Sequence, residues 1–528
     1  MGFGFILAVI GAYSACEALL SGRRYRVPIK ALVVCTAIYA ILAVCGCVEE
    51  GRNRAEPVLL REVVDVAVGE AHSCAARRDG TVVCWGYNAG GQLGSDPEID
   101  DFETLDPVGI TTERVRGFSR HASAVEGLSA VRRIAAGANH TCVIVNDGSV
   151  WCWGDSASGQ LGNGEFSLDS CEGRPCSRKP VRVKGINNAA SLSLGERHSC
   201  ALLDNGDLRC WGSLALGHAS DDLVSCDGLP CATSPVHVDL ADDVLEVKAG
   251  YQHTCALVES GAVFCWGQNP VGQVGISRET DVSVQGVDRP NAVDRPARVN
   301  LPEPAGQVAV AGSSVAYRNK SCARLLDGSY FCWGVNDRGE LGIAPVQTER
   351  CGAAQSFCAT EPRELALEVA VERVILSEFT GCAVSIDGVL YCWGQDTLAQ
   401  LGRDAQIQDR CVKEERCSRL PVKIPTRAKI LDVALGHRYS CALQADERVV
   451  CWGWGYPMAD TGSARPIDCS SSLDPCVVER TWAGRPKSLV MTHFDTFCVV
   501  TEQGELHCLG DFVPDLHAIE SEPMQVYP

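Results

Sequence analysis

The chain has 528 residues, 46% hydrophobic and 21% charged, with 30 cysteines and a formal net charge of −19. That hydrophobic content excludes a disordered or collagenous chain and suffices for large buried cores. The excess of 66 acidic over 47 basic residues opposes attraction to phosphate backbones, so no nucleic acid partner is expected.

Residues 1–47 read as a hydrophobic leader. Gly2 to Leu20 is mostly apolar, Arg23, Arg24, Arg26 and Lys30 follow, and a second apolar run goes from Ala31 to Val44. Cationic segment, short apolar run and small-residue end have the order of an export signal. The ending Val44-Cys45-Gly46-Cys47 resembles a bacterial lipobox, which implies acylation of Cys47. Cys45 departs from that pattern, standing where Ala or Ser is usual. Two other readings stay open. One is a transmembrane hairpin with its Arg-rich loop in the cytoplasm, although Glu17 interrupts the first span and the second is short for a crossing. The other is an upstream extension ahead of a later true start. Each places residue 48 onward outside the cytoplasm, with membrane attachment through the N-terminus. Residues 48–56 are then a short linker, and 57–528 form one repeat domain.

Self-similarity dominates that domain. Its first copy reads Val68-Gly69-Glu70-Ala71-His72-Ser73-Cys74, then Arg78-Asp79-Gly80, Cys84-Trp85-Gly86 and Gly91-Gln92-Leu93-Gly94. The same frame recurs at Cys142 and Cys152, Cys200 and Cys210, Cys255 and Cys265, Cys322 and Cys332, Cys382 and Cys392, Cys441 and Cys451, and Cys498 and Cys508, at separations of 55 to 68 residues. Midway between the cysteines stands Asp79, Asp147, Asn205, Ser260, Asp327, Asp387, Asp446 or Gln503, followed by Gly everywhere except at Glu447. Such triplets predict a three-residue hairpin loop whose last residue is left-handed. Counting outward puts Cys74 opposite Cys84 at a narrow, non-hydrogen-bonded pair, where a disulfide can bridge the strands.

Free buried thiols compete with that reading. The pairing arithmetic favours disulfides. Four cysteines lie in the leader, and the remainder divide into the eight hairpin pairs and five close pairs in connecting segments. Those loop pairs are Cys171 with Cys176, Cys226 with Cys231, Cys351 with Cys358, Cys411 with Cys417 and Cys469 with Cys476. Zinc is not expected, because one antiparallel pair supplies only two ligands.

The Trp after the second cysteine in seven copies (Leu509 in the eighth) reads as packing between repeats. His72, His140, His198 and His253 stand two before the first cysteine, where Lys320, Thr380, Tyr439 and Thr496 replace them elsewhere. This tolerance suits a loop or capping role better than catalysis. Short outer strands are predicted at Pro180-Val181, Pro235-Val236 and Pro421-Val422.

The frame Gly-x-x-His-Ser/Thr-x-Ala-Leu, Asp-Gly, x-x-Trp-Gly, Gly-Gln-Leu-Gly, carried well by Gly250 to Gly275, resembles the repeat of the regulator of chromosome condensation family. The resemblance implies an all-β fold, a single β-propeller of seven to eight four-stranded blades around a central channel. Pro57-Val58-Leu59-Leu60 and Pro523-Met524-Gln525-Val526 resemble outer strands, so both termini are expected to complete one blade. Family members include a nucleotide exchange factor for the small GTPase Ran, binding scaffolds and inhibitors of secreted β-lactamases. For an exported chain the expectation is a noncatalytic, monomeric binding module that grips a protein or glycan through the loops of one propeller face. Exchange factor and β-lactamase inhibitor are the alternatives. No catalytic motif and no cofactor is expected.

Overall fold

In a computed structural model, residues 60–509 are described, apart from 97–99, 106–111, 167–168, 219–222, 227, 277–291, 313–317, 345–346, 353–354, 403–408, 412–414, 438, 454–477, 481, 483 and 492–496. The leader, the linker, Cys47, the loop pair of Cys469 and Cys476, and Pro523 to Val526 lie outside them.

Eight antiparallel sheets follow one another along the chain, and we number them as blades one to eight. Blade one shows the plan: an inner strand Val63–Val68, a second strand His72–Arg77 and a third strand Val82–Tyr87. The predicted hairpin joins the second and third strands. Cys74 faces Cys84 in register, bonded to it, with Cα atoms 4.1 Å apart. The same bond at the same 4.1 Å joins Cys142 to Cys152, Cys200 to Cys210 and Cys255 to Cys265. It also joins Cys322 to Cys332, Cys382 to Cys392 and Cys441 to Cys451, and Cys498 to Cys508 at 4.0 Å. That separation belongs to the narrow pairs of an antiparallel ladder. The residue after each turn's midpoint is left-handed, with φ of 82° at Gly80 and 68° at the exceptional Glu447.

A fourth strand returns along the outside, as Arg174–Arg182 does in blade two and Leu229–His237 in blade three. Pro180 and Pro235 sit within these strands just before Val181 and Val236, which pair with Cys152 and Cys210. Four blades depart from the four-stranded plan by adding a fifth, outermost strand. In blades two, three and five it is only three residues long and ends at the first cysteine of a loop pair, as in Asp169–Cys171, Val224–Cys226 and Glu349–Cys351.

The last copy, which lacks the Trp and the Gly-Gln-Leu-Gly, still forms a blade, so the ring has eight. It contributes the strands Pro486–Met491, Phe497–Thr501 and Leu506–Leu509. Leu60, from the start of the domain, pairs with Leu506 through two backbone hydrogen bonds, Leu506 N to Leu60 O being 2.9 Å. Val183 and Val238 make the same bond to Val150 and Leu208 at the ends of their own outer strands. The chain's beginning therefore stands in the outer position of the last blade.

Apolar side chains of adjacent blades pack into one cluster at each boundary, and into two between blades five and six. Between blades one and two, Val82, Leu93 and Val125 meet Ile134, Val143 and Trp153. Leu60, Val63 and Trp85 meet Cys498, Leu506 and Cys508 across the closing contact. All seven repeat tryptophans are fully buried, and truncating one to Ala is expected to cost about 3–5 kcal/mol.

The hairpin turns supply a matched test. Gly328 has φ of 90° with open space around its α-carbon, so Gly328→Ala isolates the cost of a left-handed backbone. It should lower stability by about 1 kcal/mol, while Glu447→Gly raises it by about as much. The Glu447–Arg485 pair that the latter loses is exposed and contributes little. Denaturant midpoints of the two variants moving in the same direction would contradict this account.

Candidate functional site

Strand directions sort the connections onto two faces. The Gly-x-x-His turns, the Gly-Gln-Leu-Gly segments after the third strands and the disulfide-clasped hairpins all emerge at one end, here the loop face. The Asp-Gly hairpins and the links from blade to blade emerge at the other, the hairpin face.

On the loop face each Gly-Gln-Leu-Gly segment couples its blade to the next. The Gln92 carbonyl accepts from Trp153 Nε1 at 2.9 Å and from Thr141 Oγ1 at 3.1 Å. Gln160 receives Trp211 and Ser199 in the same way, and Gln273 receives Trp333 and Ser321. The last Gly of the segment lies against that Trp ring: a Cβ on Gly94 would stand 2.8 Å from Trp153 Nε1. The first lies under the next blade's outer strand, as Gly91 does beneath Ser177.

The repeated histidines complete these nodes. Each is buried, and its Nε2 meets the next blade's hydroxyl: His72 with Thr141, His140 with Ser199 and His253 with Ser321 at 2.8 Å, and His198 with Thr254 at 2.9 Å. The hydroxyls of Thr141, Ser199 and Ser321 donate to a carbonyl and so offer only lone pairs, which puts the hydrogen on Nε2 of His72, His140 and His253. Nδ1 is left as a buried lone pair with no partner. These rings pack over Gly69, Gly137, Gly195 and Gly250, where a Cβ would collide with the imidazole. The role is therefore not capping of a loop. The histidines hold blade to blade, which position within one repeat cannot reveal. Burial holds His72, His140 and His253 down to about 3, and His198 to about 4, so all four are neutral.

The node between blades five and six is built differently. Lys320 stands in the His position, Glu340 in the Gln position and Gly381 in that of the hydroxyl. Lys320 is fully buried and its Nζ donates to the Glu378 carbonyl at 3.1 Å. Arg318 Nη1 donates to Glu340 Oε1 at 3.2 Å, and the Arg338 backbone N–H donates to Oε2 at 2.7 Å. Burial pushes the Lys320 ammonium down to about 8, against the opposing pull of Glu340, and raises the Glu340 carboxyl above the usual carboxylate range. The guanidiniums of Arg318 and Arg338 lie over the Phe379 ring at 4.8 and 5.0 Å. Arg338 also forks onto Glu415 at 2.6 and 3.2 Å, which ties blade five to the Cys411–Cys417 loop of blade six. Arg416, in the same loop, reaches buried Asp396 at 2.9 Å. The result is a rigid, charge-bearing sector of the loop face. Beside it the mouth of the central channel forms a cavity of ≈ 430 Å³ lined by Glu70, Tyr251, Ser377 and Glu378. From sequence, Lys320 registered only as one of four replacements for His; its coincidence with Glu340 at one interface was the available signal.

Four of the five loop pairs fall among the described residues and are bonded as the spacing predicts. Cys171 joins Cys176, Cys226 joins Cys231, Cys351 joins Cys358 and Cys411 joins Cys417, each bond clasping a hairpin that stands on this face. The fifth, Cys469 with Cys476, lies outside the described residues. Glu349 lies close to Cys351 and Cys358, but both sulfurs are committed to their disulfide and cannot ligate a metal.

Comparison with known proteins fits this architecture. A family profile described as the RCC1-like domain matches residues 42–414, and the Regulator of chromosome condensation (RCC1) repeat matches residues 387–443. The chain belongs to the RCC1-like domain family. It is 26% identical to Protein pim1 of Schizosaccharomyces pombe over 376 residues, 68% of this chain and 65% of pim1. It is 27% identical to Ultraviolet-B receptor UVR8 of Arabidopsis thaliana over 290 residues, 53% of this chain and 55% of UVR8. Both alignments cover less than two thirds of the relative's own length. Among solved structures, Prp20p from Saccharomyces cerevisiae is similar with a TM-score of 0.50 at 21% identity, covering 72% of this chain and 82% of that one. Yeast RCC1 (Prp20) bound to Kap60 gives 0.54 at 19%, covering 84% and 95%. These likenesses show the propeller fold.

The buried histidines predict an acid-sensitive ring. Unfolded, each takes up a proton below its ordinary value of 6.5; folded, it does not until about 3 or 4. Their contribution is thus complete above 6.5 and lost as pH falls toward the folded values. Four protons correspond to roughly 5 kcal/mol per pH unit near pH 5. Denaturant midpoints should drop steeply between about pH 6.5 and 4.5; a flat profile there would show that the rings are charged or solvated in the folded state.

Proposed function

We propose that this chain is a noncatalytic, extracytoplasmic binding module that engages a protein partner through the loop face. The observation that carries this reading is the gathering of every described clasped hairpin, the channel mouth and the charged sector of blades five and six on one face. Disulfides order long surface segments before any partner arrives, which lowers the entropy lost on binding. A protein is favoured over a glycan because the solved relative Prp20p is described as having binding properties toward Gsp1p and histones. Twelve disulfides among the described residues support an oxidising compartment, which offers no cytosolic GTPase for an exchange reaction.

Two measurements test the reading. Thiol titration of the native chain, denatured without reductant, should find these cysteines unreactive; wholesale reactivity would refute the compartment. Immobilised full-length protein should capture a specific partner that is lost with Phe166→Asp and Val224→Asp, exposed on the loop face, and kept with Leu326→Asp and Ile386→Asp, exposed on the hairpin face. The reverse pattern would move binding to the other face.

A further inference from the structure

The contact that closes the ring lacks a crossing that three of the other boundaries make at the hairpin-face end. Where blades one, four and seven meet the blade that follows, an acid at the third position of the inner strand reaches across and accepts the neighbouring strand's N–H. Asp65 accepts from Ile134 at 3.2 Å, Glu246 from Val308 at 3.0 Å and Asp432 from Leu489 at 2.8 Å. Blade eight carries Ser488 there, as blade three carries Ser191, and no such acid crossing joins its inner strand to that of blade one among the described residues. Between its inner strand and that of blade one lies a cavity of ≈ 330 Å³.

The lining of this cavity is chemically mixed. Arg78 comes from blade one, Lys487 and Glu502 from blade eight; all three are exposed, and none forms an ion pair among the described residues. Val64, Val490 and Val500 supply apolar wall. Asp65 also borders the cavity, but its carboxylate oxygens are engaged by the N–H groups of Val66 and Ile134. Two cations, one uncommitted carboxylate and an aliphatic wall therefore converge on one small space. The volume sits at the low end of ligand pockets, roughly 300–1,000 Å³, which limits an occupant to a small molecule.

We propose that the seam cavity binds a free aliphatic α-amino acid as its zwitterion. Its carboxylate lies between Arg78 and Lys487, its ammonium against Glu502, and its side chain along the valines. Charge-assisted hydrogen bonds on both ends fix its orientation. The ligand touches both blades and so bridges the contact at which Leu60, pairing with Leu506, provides the described outer-strand closure. Occupancy locks the ring.

Thermal unfolding of the full-length protein tests this, with L-leucine as the probe and N-acetyl-leucine amide, which lacks both charges, as the control. Leucine should give a saturable rise in Tm of about 1–2 °C at tenfold over half-saturation, and the amide none. Combined Arg78→Gln and Lys487→Gln should abolish the rise. Ser488→Glu, which restores an acid long enough to cross the seam, should raise the Tm of the unliganded protein and remove the response to leucine. No shift with millimolar leucine in the unsubstituted protein would overturn the proposal, as would an equal shift with the amide or in the double Gln variant. Stabilisation by Ser488→Glu without any leucine response in the unsubstituted protein would identify the cavity as a packing defect and likewise overturn it.

Discussion

One main-chain carbonyl at each of six blade boundaries, from blades one and two to blades six and seven, organises this propeller. At Gln92, Gln160 and Gln273 that oxygen uses both lone pairs, one for the indole N–H and one for the hydroxyl of the next blade, and the hydroxyl in turn accepts from an imidazole of the first. A buried carbonyl has to be paired, and here its only partners come from a different repeat. Blade order, spacing and the identity of several side chains follow from that requirement. The loop must reach a fixed point against the neighbour's Trp, so its last Gly has no room for a Cβ; the imidazole must clear the preceding turn, so Gly69 and its equivalents have none either.

The variations obey the same constraint. In blade six Thr380 takes the His position and Ser377 the Gly position, and their hydroxyls bond each other at 2.8 Å, filling the space a ring would occupy. Blade three shortens its loop, yet Trp266 still finds the Ala215 carbonyl at 2.9 Å. Between blades five and six Trp393 keeps its bond to the residue-340 carbonyl while charged side chains replace the neutral relay around it. Retaining the coupling carbonyl while exchanging everything beside it gives one sector a buried ionic network without disturbing the ring. Such networks hold geometry more than they add stability, which suits a surface that must present the same contacts each time a partner arrives.

Much of this was legible in sequence because the repeat is local. Cys74 and Cys84 are ten residues apart, so counting from the turn fixes their pairing, and the eight copies fix the blade number once the last copy is counted by its cysteines and not by its missing Trp. The nodes were not legible, because His72, Gln92, Thr141 and Trp153 belong to two repeats and nothing in spacing says which carbonyl an indole will meet. Leu60 was foreshadowed only by its place two residues after Pro57-Val58, the same offset that separates Val181 from Val183. The fifth strands of blades two, three and five escaped prediction because three-residue pairings such as Asp169–Cys171 carry no alternating pattern; the loop disulfides that clasp them, Cys171 to Cys176 and Cys226 to Cys231 among them, were the sign that something ordered lay there.

Trp85 isolates the central interaction. It is buried like the other six, but its Nε1 has no acceptor among the described residues, and the segment that follows blade eight's third strand lies outside them. Replacing Trp by Phe removes the same atoms at Trp85 and at Trp153, and only at Trp153 does it take one of two donors from a buried carbonyl. Equilibrium unfolding of the two variants should show Trp153→Phe costing about 1–3 kcal/mol more than Trp85→Phe. Equal losses would mean that packing alone joins the blades and that the shared carbonyl is incidental.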